Sequence, residues 1–256
     1  MRICHISDWH GQLLEAPAAE LYVVTGDMLP NFLTYYYRSI GSGIIEEWRP
    51  NDHLLNPGTG PQEQPVGIPA GRKVDRLREA EMQEQWISMV RTNGGLRAHL
   101  GNPDAPAVCV RGNHDFTDLA PLVGGDVWEV TEDPTRTKEL LGLRFGGTRG
   151  IRFIAGEWSD ELDLPAFHDR ARLLPTDIDI LVTHAPPAGI LDVDPKTGDD
   201  VGYGSEALRS YLETRSCTLR TLRAHLFGHM HHVLRSELIG DTLFSNAAQG
   251  FMVHDV

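Results

Sequence analysis

The sequence predicts an α/β or α+β domain, and three observations carry that prediction. Short β-branched or apolar runs recur along the chain, two stretches between them mix apolar and charged residues as an amphipathic helix does, and 41% of the 256 residues are hydrophobic, enough for a sizeable core. The runs are "RICHIS" (2–7), "LYVVTG" (21–26), "AVCV" (107–110), "IRFIAG" (151–156), "IDILVT" (178–183), "RAHLFG" (223–228) and "TLFSN" (242–246). Each is bounded by glycine or polar residues, the pattern of a buried strand. Residues 73–92 carry Val74, Leu77, Trp86, Met89 and Val90 among charges and read as a helix. Residues 205–215 read as a second, with Ser205 at its N-cap.

Residues 28–72 break this pattern. Pro30, Pro50, Pro57, Pro61, Pro65 and Pro69 fall in text without a clear period, and the stretch is long for a connection inside a domain. The consecutive Tyr35, Tyr36 and Tyr37 argue against complete disorder. The chain is expected to be a single domain over residues 1–256 with a loop-rich insertion at about 28–72.

Composition narrows the function classes. A formal net charge of -13 argues against a broad basic surface for nucleic-acid backbones, since non-specific affinity there comes from lysine and arginine neutralising phosphates. Phosphate chemistry on such a chain needs local positive charge, which bound divalent cations supply. No run of eighteen apolar residues occurs, and the opening "MRICHISDWHG" lacks the long apolar core of a signal peptide, so a cytoplasmic location is the expectation. Cys4, Cys109 and Cys217 are odd in number and far apart, and are expected as reduced thiols.

Several apolar runs end in metal-ligand residue types: Asp8 and His10, then Asp27, then Asn113 and His114, then His184, then His229 and His231. Ligands of open α/β sheets bind beyond the carboxyl ends of the strands, so these termini can converge on one site. Residues two apart in extended chain project to one side, which makes Asp8 with His10, and His229 with His231, natural pairs. A carboxylate such as Asp27 can bridge two cations, and Asn113 offers a neutral carbonyl oxygen. Mixed imidazole and oxygen donors suit zinc, iron, manganese or nickel better than calcium or magnesium, and without thiolates a structural zinc site is disfavoured. Even seven of these eight candidates exceed one tetrahedral ion and imply two. Taken singly, a histidine or an aspartate after a strand is most often a loop or capping residue; the five blocks in this order are what exclude coincidence.

Those blocks, Asp8-Trp9-His10, Gly26-Asp27, Gly112-Asn113-His114-Asp115, His184 and Gly228-His229-Met230-His231, resemble the signature of the calcineurin-like metallophosphoesterase superfamily. The stretch 177–192, "DIDILVTHAPPAGILD", with the "GSEAL", "HLFGHMHH" and "LFSNA" that follow, is similar to its small class III-type phosphodiesterase branch described from brain and fetal tissue, with bacterial and phage relatives. The resemblance implies a four-layer α-β-β-α sandwich, two mixed β-sheets flanked by helices, with a dinuclear metal site at the strand ends. It further implies that Asp8, His10 and His231 hold one ion, that Asn113, His184 and His229 hold the other, and that Asp27 bridges. Manganese is the first expectation, with iron, nickel or zinc as alternatives.

The activity implied is hydrolysis of phosphodiesters, in small cyclic or linear nucleotides, by a metal-bridging hydroxide with His114 as general acid. Phosphomonoesterase, a DNA or RNA nuclease of the same superfamily and a non-catalytic scaffold are the rivals; retention of all seven ligands and His114 speaks against the last. Asp115 either orients the His114 imidazole or caps the next turn. Arg111 either touches substrate phosphate or makes a salt bridge at the sheet edge. Tyr35, Tyr36 and Tyr37 either stack on a nucleobase or pack the insertion onto the body. His5 and His225 read as satisfied buried histidines.

Overall fold

A computed structural model describes residues 1–32, 36–40, 44–48, 76–153, 158–193, 203–215, 222–231 and 233–256, with 36–40 and 44–48 described by their backbone. The chain runs through β1 (Arg2–Ser7), β2 (Leu21–Val24), a hairpin of β3 (Tyr36–Ile40) and β4 (Ile44–Trp48), and the helix α1 (Arg76–Arg91). Next come β5 (Ala107–Cys109), the short α2 (Ala120–Val123), β6 (Val127–Glu129), β7 (Thr137–Leu140), β8 (Leu143–Thr148), β9 (Ile151–Arg152), β10 (Glu161–Leu162) and α3 (Leu164–Arg172). The last part holds β11 (Ile180–Thr183), α4 (Glu206–Arg215), β12 (Ala224–Phe227), β13 (Arg235–Ile239), β14 (Thr242–Asn246) and β15 (Gly250–Asp255).

Two mixed sheets organise these elements. One has the order β15-β1-β2-β5-β6 and the other β13-β14-β12-β11-β8-β7. In the first, β1, β2, β5 and β6 run parallel and β15 closes an edge antiparallel; in the second, β8, β11, β12 and β14 run parallel between antiparallel edges.

Strand alternation builds the layers. Ile3, Leu21, Val23, Val108 and Val110 of the first sheet meet Phe145, Ile180, Val182, Ala224 and Leu226 of the second in one core between the sheets. The alternate residues of the first sheet, Cys4, Ile6, Tyr22, Val24 and Cys109, turn outward and pack on Trp86, Ile87 and Leu96. On the far face of the second sheet, Leu181 meets Phe167 and Ala171 of α3 and Ala207, Leu208 and Tyr211 of α4. Helix, sheet, sheet and helix thus make four layers. Most central strands are covered on both faces, which is why they read in sequence as unbroken apolar runs rather than alternating ones; β8, with Arg144, Gly146 and Gly147, is an exception.

Several expectations need adjustment. Helix α1 turns a different face inward from the one its apolar residues suggest: Glu79, Gln83, Trp86 and Ile87 are buried, whereas Leu77 is 80% exposed and Met89 is 39% exposed. Polar residues occupy the inner face because they serve backbone groups of two neighbouring loops. The second helix behaves as expected, with Ser205 Oγ accepting from Leu208 N at 3.2 Å. Within residues 28–72, Met28, Leu29 and Phe32 belong to the core beside the first sheet, and the β3–β4 hairpin pairs Tyr36 with Trp48 through Ile40 with Ile44. Tyr35 lies outside the described residues, as do the side chains of Tyr36 and Tyr37. Cys4 and Cys109 are buried free thiols. No helix among the described residues is long and apolar enough to cross a membrane.

Candidate metal centre

The loops after β1, β2, β5, β11 and β12 meet where the two sheets abut. Backbone bonds lace the first two together: Asp8 N donates to Gly26 O and His10 N to Asp27 O, each at 2.9 Å. Asp8, His10, Asp27 and His229 all have left-handed backbones, with φ of 57°, 45°, 52° and 72°. Non-glycine residues enter that region at a cost, and such strain gathers at functional sites. The Asp8 and His10 side chains therefore share a direction because the backbone turns sharply, not because it is extended as their spacing suggests. The glycines of the motifs let the loops close. A Cβ on Gly112 would meet Asp27 Oδ1 at 2.1 Å, and one on Gly228 would meet Asp8 Oδ2 at 2.3 Å.

Donor atoms of Asp8, His10, Asp27 and His231 lie within 4.8 Å of one another, as do those of Asp27, His184 and His229, so Asp27 belongs to both groups. His10 Nε2 is 3.1 Å from His231 Nε2, which is 3.1 Å from Asp8 Oδ1. Asn113 Oδ1 is 3.0 Å from both His184 Nε2 and His229 Nδ1. Asp27 Oδ2 is buried without a well-formed hydrogen bond and faces His184 Nε2 at 3.3 Å and His114 Nε2 at 3.8 Å. Donors around an ion with bonds of about 2.0–2.2 Å sit about 3.0–3.5 Å apart, the spacing these atoms show. Once deprotonated, the two ring nitrogens and the Asp8 oxygen beside them would offer converging lone pairs to a cation. The donor set therefore fits two divalent ions, with Asp27 the shared carboxylate.

Charge follows the same logic. Burial opposes ionisation of Asp27, yet His184 and His114 beside it hold its carboxyl well below the usual range. Burial also opposes protonation of His184, but Asp27 and Asp8 raise it to about 10. Burial pushes His229 down to about 4 and His114 down to about 3, so the His114 ring is neutral near pH 7. His184 Nδ1 lies 2.6 Å from Thr25 O and donates there, with Nε2 turned to Asn113 and Asp27; a bound cation would take the place of the Nε2 proton.

Asp115 ties two loops rather than touching an imidazole. Its Oδ2 accepts from Asp27 N at 2.7 Å and Gly112 N at 2.8 Å, and its Oδ1 accepts from Met28 N and Leu29 N at 3.0 Å. Burial and the Asp27 charge push its carboxyl up to about 7 against those four donors. Gln83 of α1 clamps the same loops: Nε2 donates to Pro30 O at 3.1 Å and His114 O at 2.7 Å, while Oε1 accepts from Phe116 N at 2.7 Å. The ring partner of His114 is Asn31, with Nδ1 and Oδ1 2.8 Å apart.

Arg111 is engaged at the rim. Its guanidinium forks onto Asp160, with Nη2 to Oδ2 at 2.8 Å and Nε to Oδ2 at 3.2 Å, and Arg149 Nε reaches the same Oδ2 at 3.2 Å. The next residue back, Ser159, donates its N–H to Asn113 O at 2.9 Å, and Trp158 packs on His114 with ring centroids 4.4 Å apart. Tyr203 stands edge-on to the His229 ring, with centroids 6.1 Å apart. Sequence reasoning passed over Asn31, Gln83, Arg149, Trp158, Asp160 and Tyr203. The available signals were weak: an amide four residues beyond Asp27, and single aromatics in "GEWSD" and "GYGSE".

Comparison with known proteins adds three findings. The model of the family described as calcineurin-like phosphoesterase matches residues 1–233. A Homo sapiens protein named metallophosphoesterase domain-containing protein 1 is 32% identical over 110 residues, covering 39% of this chain and 31% of that protein. A UPF0046 protein of Caenorhabditis elegans is 31% identical over 107 residues, covering 39% of this chain and 34% of that one. The chain thus spans about a third of the length of these relatives. A crystal structure 14% identical in sequence covers 97% of this chain and 90% of its own with a TM-score of 0.53, a likeness of fold.

Proposed function

The chain belongs to the calcineurin-like phosphoesterase family, and from that premise we propose that it hydrolyses phosphodiesters of small nucleotides, cyclic or linear, with two divalent cations, manganese first. The observation that carries this reading is the shared carboxylate: Asp27 stands in both donor groups with a buried oxygen left over. Asp8, His10, Asp27 and His231 would hold one cation, and Asp27, Asn113, His184 and His229 the other. Such a pair, when bound, acidifies water and neutralises charge on phosphoryl oxygens.

The chain's own residues do the rest. His184, held by Thr25 through Nδ1, turns Nε2 to the centre, where it would serve as a ligand once a cation displaces its proton. Asp115 and Gln83 hold the loop of Asp27 against the loop of Asn113 and His114, so the donors stay in register. His114 turns Nε2 toward Asp27 Oδ2, where it can give a hydrogen bond to a departing ester oxygen. Trp158 packs on the His114 ring and Tyr203 stands edge-on to the His229 ring, so aromatic side chains adjoin the centre at two of its histidines. Aromatic surface beside two histidines of the centre supports a phosphorus that carries two organic groups, which is the argument for a diester over a monoester.

Bis-p-nitrophenyl phosphate and p-nitrophenyl phosphate assayed side by side on metal-free protein given manganese, nickel, zinc or magnesium test this. Metal-dependent diester turnover that drops about 100-fold or more in His114→Ala is expected. Faster monoester than diester turnover moves the assignment to a phosphatase, and absence of metal-dependent turnover on both overturns it.

A further inference from the structure

Strand β13 ends the second sheet. It pairs with β14 on one side, and no strand among the described residues pairs with its other side. An open strand edge is a row of unmet N–H and C=O groups, which proteins cover, blunt or use. This one lies largely open to solvent: Leu234, just before it, is 53% exposed, Leu238 69% and Ile239 44%. Its register with β14 tells which side chains share a face. Leu238 stands opposite Leu243, which packs on the core between the sheets, so Ser236 and Leu238 face that way, as does Leu234 when the strand is extended by one residue. Arg235, Glu237 and Ile239 face the other way. The first sheet ends on the same flank, since Ser245 Oγ of β14 lies 2.9 Å from His254 Nε2 of β15.

The occupant this edge fits is a second copy of itself. A two-fold axis normal to the sheet brings two β13 strands together antiparallel and keeps every side chain on its own face, so only residues an even number of positions apart meet. Few registers remain. One centred on Arg235 sets arginine against arginine, and one centred on Glu237 sets glutamate against glutamate; like charges directly opposed are unfavourable. One centred on Leu238 runs into the turn at Gly240, where φ is 59°. The register centred on Ser236 sets Arg235 of each copy against Glu237 of the other, and Leu234 of each against Leu238 of the other. Within one chain Arg235 Nη2 already reaches Glu237 Oε2 at 3.4 Å, but these side chains are 63% and 43% exposed, so that pair exchanges at little cost. We propose that β13 is a homodimer interface, two copies joining edge to edge about Ser236 into one sheet of twelve strands, six from each. Main-chain bonds supply the affinity and the charge pairs fix the register. Because each copy presents the same edge, the contact closes at two. A strand of five residues buries less than the roughly 800 Å² per partner of a stable interface, and Phe251 and Val253 of β15, on the same flank, add apolar surface, so a dissociation constant of about 1 to 100 µM is expected.

Sedimentation velocity of the full chain from about 1 to 200 µM reads the association. A shift from monomer to dimer across that range is expected; monomer throughout, or growth beyond dimers, overturns the proposal. Charge exchange then tests the register. Glu237→Arg alone sets arginine opposite arginine, and Arg235→Glu alone sets glutamate opposite glutamate. Each is expected to weaken the dimer at least about 10-fold, while the chain carrying both regains wild-type association. Single variants that associate as the wild type does, or a double variant that stays monomeric, contradict the pairing. The axis passes through residue 236, so Ser236→Cys opposes two thiols with Cα atoms about 4.5 to 5.5 Å apart, a span a disulfide bridges. Mild oxidation is expected to give a covalent dimer beyond any formed by wild type treated alike, and its absence overturns the register.

Discussion

His225 shows at the scale of one residue how burial fixes a charge state. It is fully buried on β12, and burial pushes its ring down to about 3. Thr183 Oγ1 spends its proton on Ala185 O at 2.7 Å, so the contact of 2.8 Å with His225 Nε2 requires a proton on that nitrogen. Nδ1 is then a bare lone pair, and it has no hydrogen-bond partner among the described residues. His5 differs, with both ring nitrogens paired, to Ser245 and Thr25, at 2.9 Å. The expectation that both are buried histidines holds, but the sequence could not say that one is half-satisfied, because partners from distant strands decide it. The sign of the pH effect follows from the depressed value. Between about 3 and 6.5 the unfolded chain binds the proton and the folded chain does not, so this residue's contribution to stability is complete above about 6.5 and is lost as pH falls toward 3. Urea unfolding of His225→Gln across that window should show a stability slope shallower than wild type by up to about 1.4 kcal/mol per pH unit; equal slopes would mean that the ring is already charged in the fold.

At the scale of elements, loop closure depends on glycines and on the polar face of α1. Gly228 sits against both Ser7 Oγ and Asp8 Oδ2, where an added Cβ would come within 2.0 Å and 2.3 Å. Gly228→Ala is expected to displace the loop of His229 and His231 from the loop of Asp8 and to weaken manganese binding at least about 10-fold by titration calorimetry, the range seen when the supports of a metal site are removed. Unchanged affinity would show that the loops have room the packing denies. Motif glycines, ligands and the second helix were legible because each is dictated locally, by close approach, by chemistry or by a cap. The inner face of α1 was not. Glu79 and Gln83 are buried there because Phe32 N, Pro30 O, His114 O and Phe116 N need partners, and such needs arise only when loops far apart in sequence meet. Strands β6, β7, β13 and β15 were not legible for a related reason: they lie at sheet edges, are partly or largely open to solvent, and lack the unbroken apolar run of a central strand.

Across the whole molecule, the centre joins the two sheets. Asp8, His10, Asp27 and Asn113 follow strands of one sheet, whereas His184, His229 and His231 follow strands of the other. An ion held by either donor group would therefore clip one sheet to the other, and ions bound only by the fold add to its stability. At free manganese about 100 times the dissociation constant, each independent site adds about 2.7 kcal/mol. For a chain of this size that corresponds to a melting midpoint raised by about 5 to 10 °C or more, reversed by a chelator. A midpoint indifferent to manganese would place the ions, if any, outside this junction. The mixed α/β class was legible because most parallel strands covered on both faces announce themselves in sequence, whereas the four-layer arrangement came from the resemblance of the motifs, and β8 was missed because Gly146 and Gly147 interrupt its apolar run.

The account turns on Asp27 as a carboxylate shared by two ions, and counting metal tests it most directly. Wild type and Asp27→Asn, each loaded with manganese and freed of excess, would be measured by atomic emission against protein concentration. Two ions per chain in the wild type and one or fewer in the variant are predicted. A single ion in the wild type, or two retained by Asp27→Asn, would contradict the shared centre.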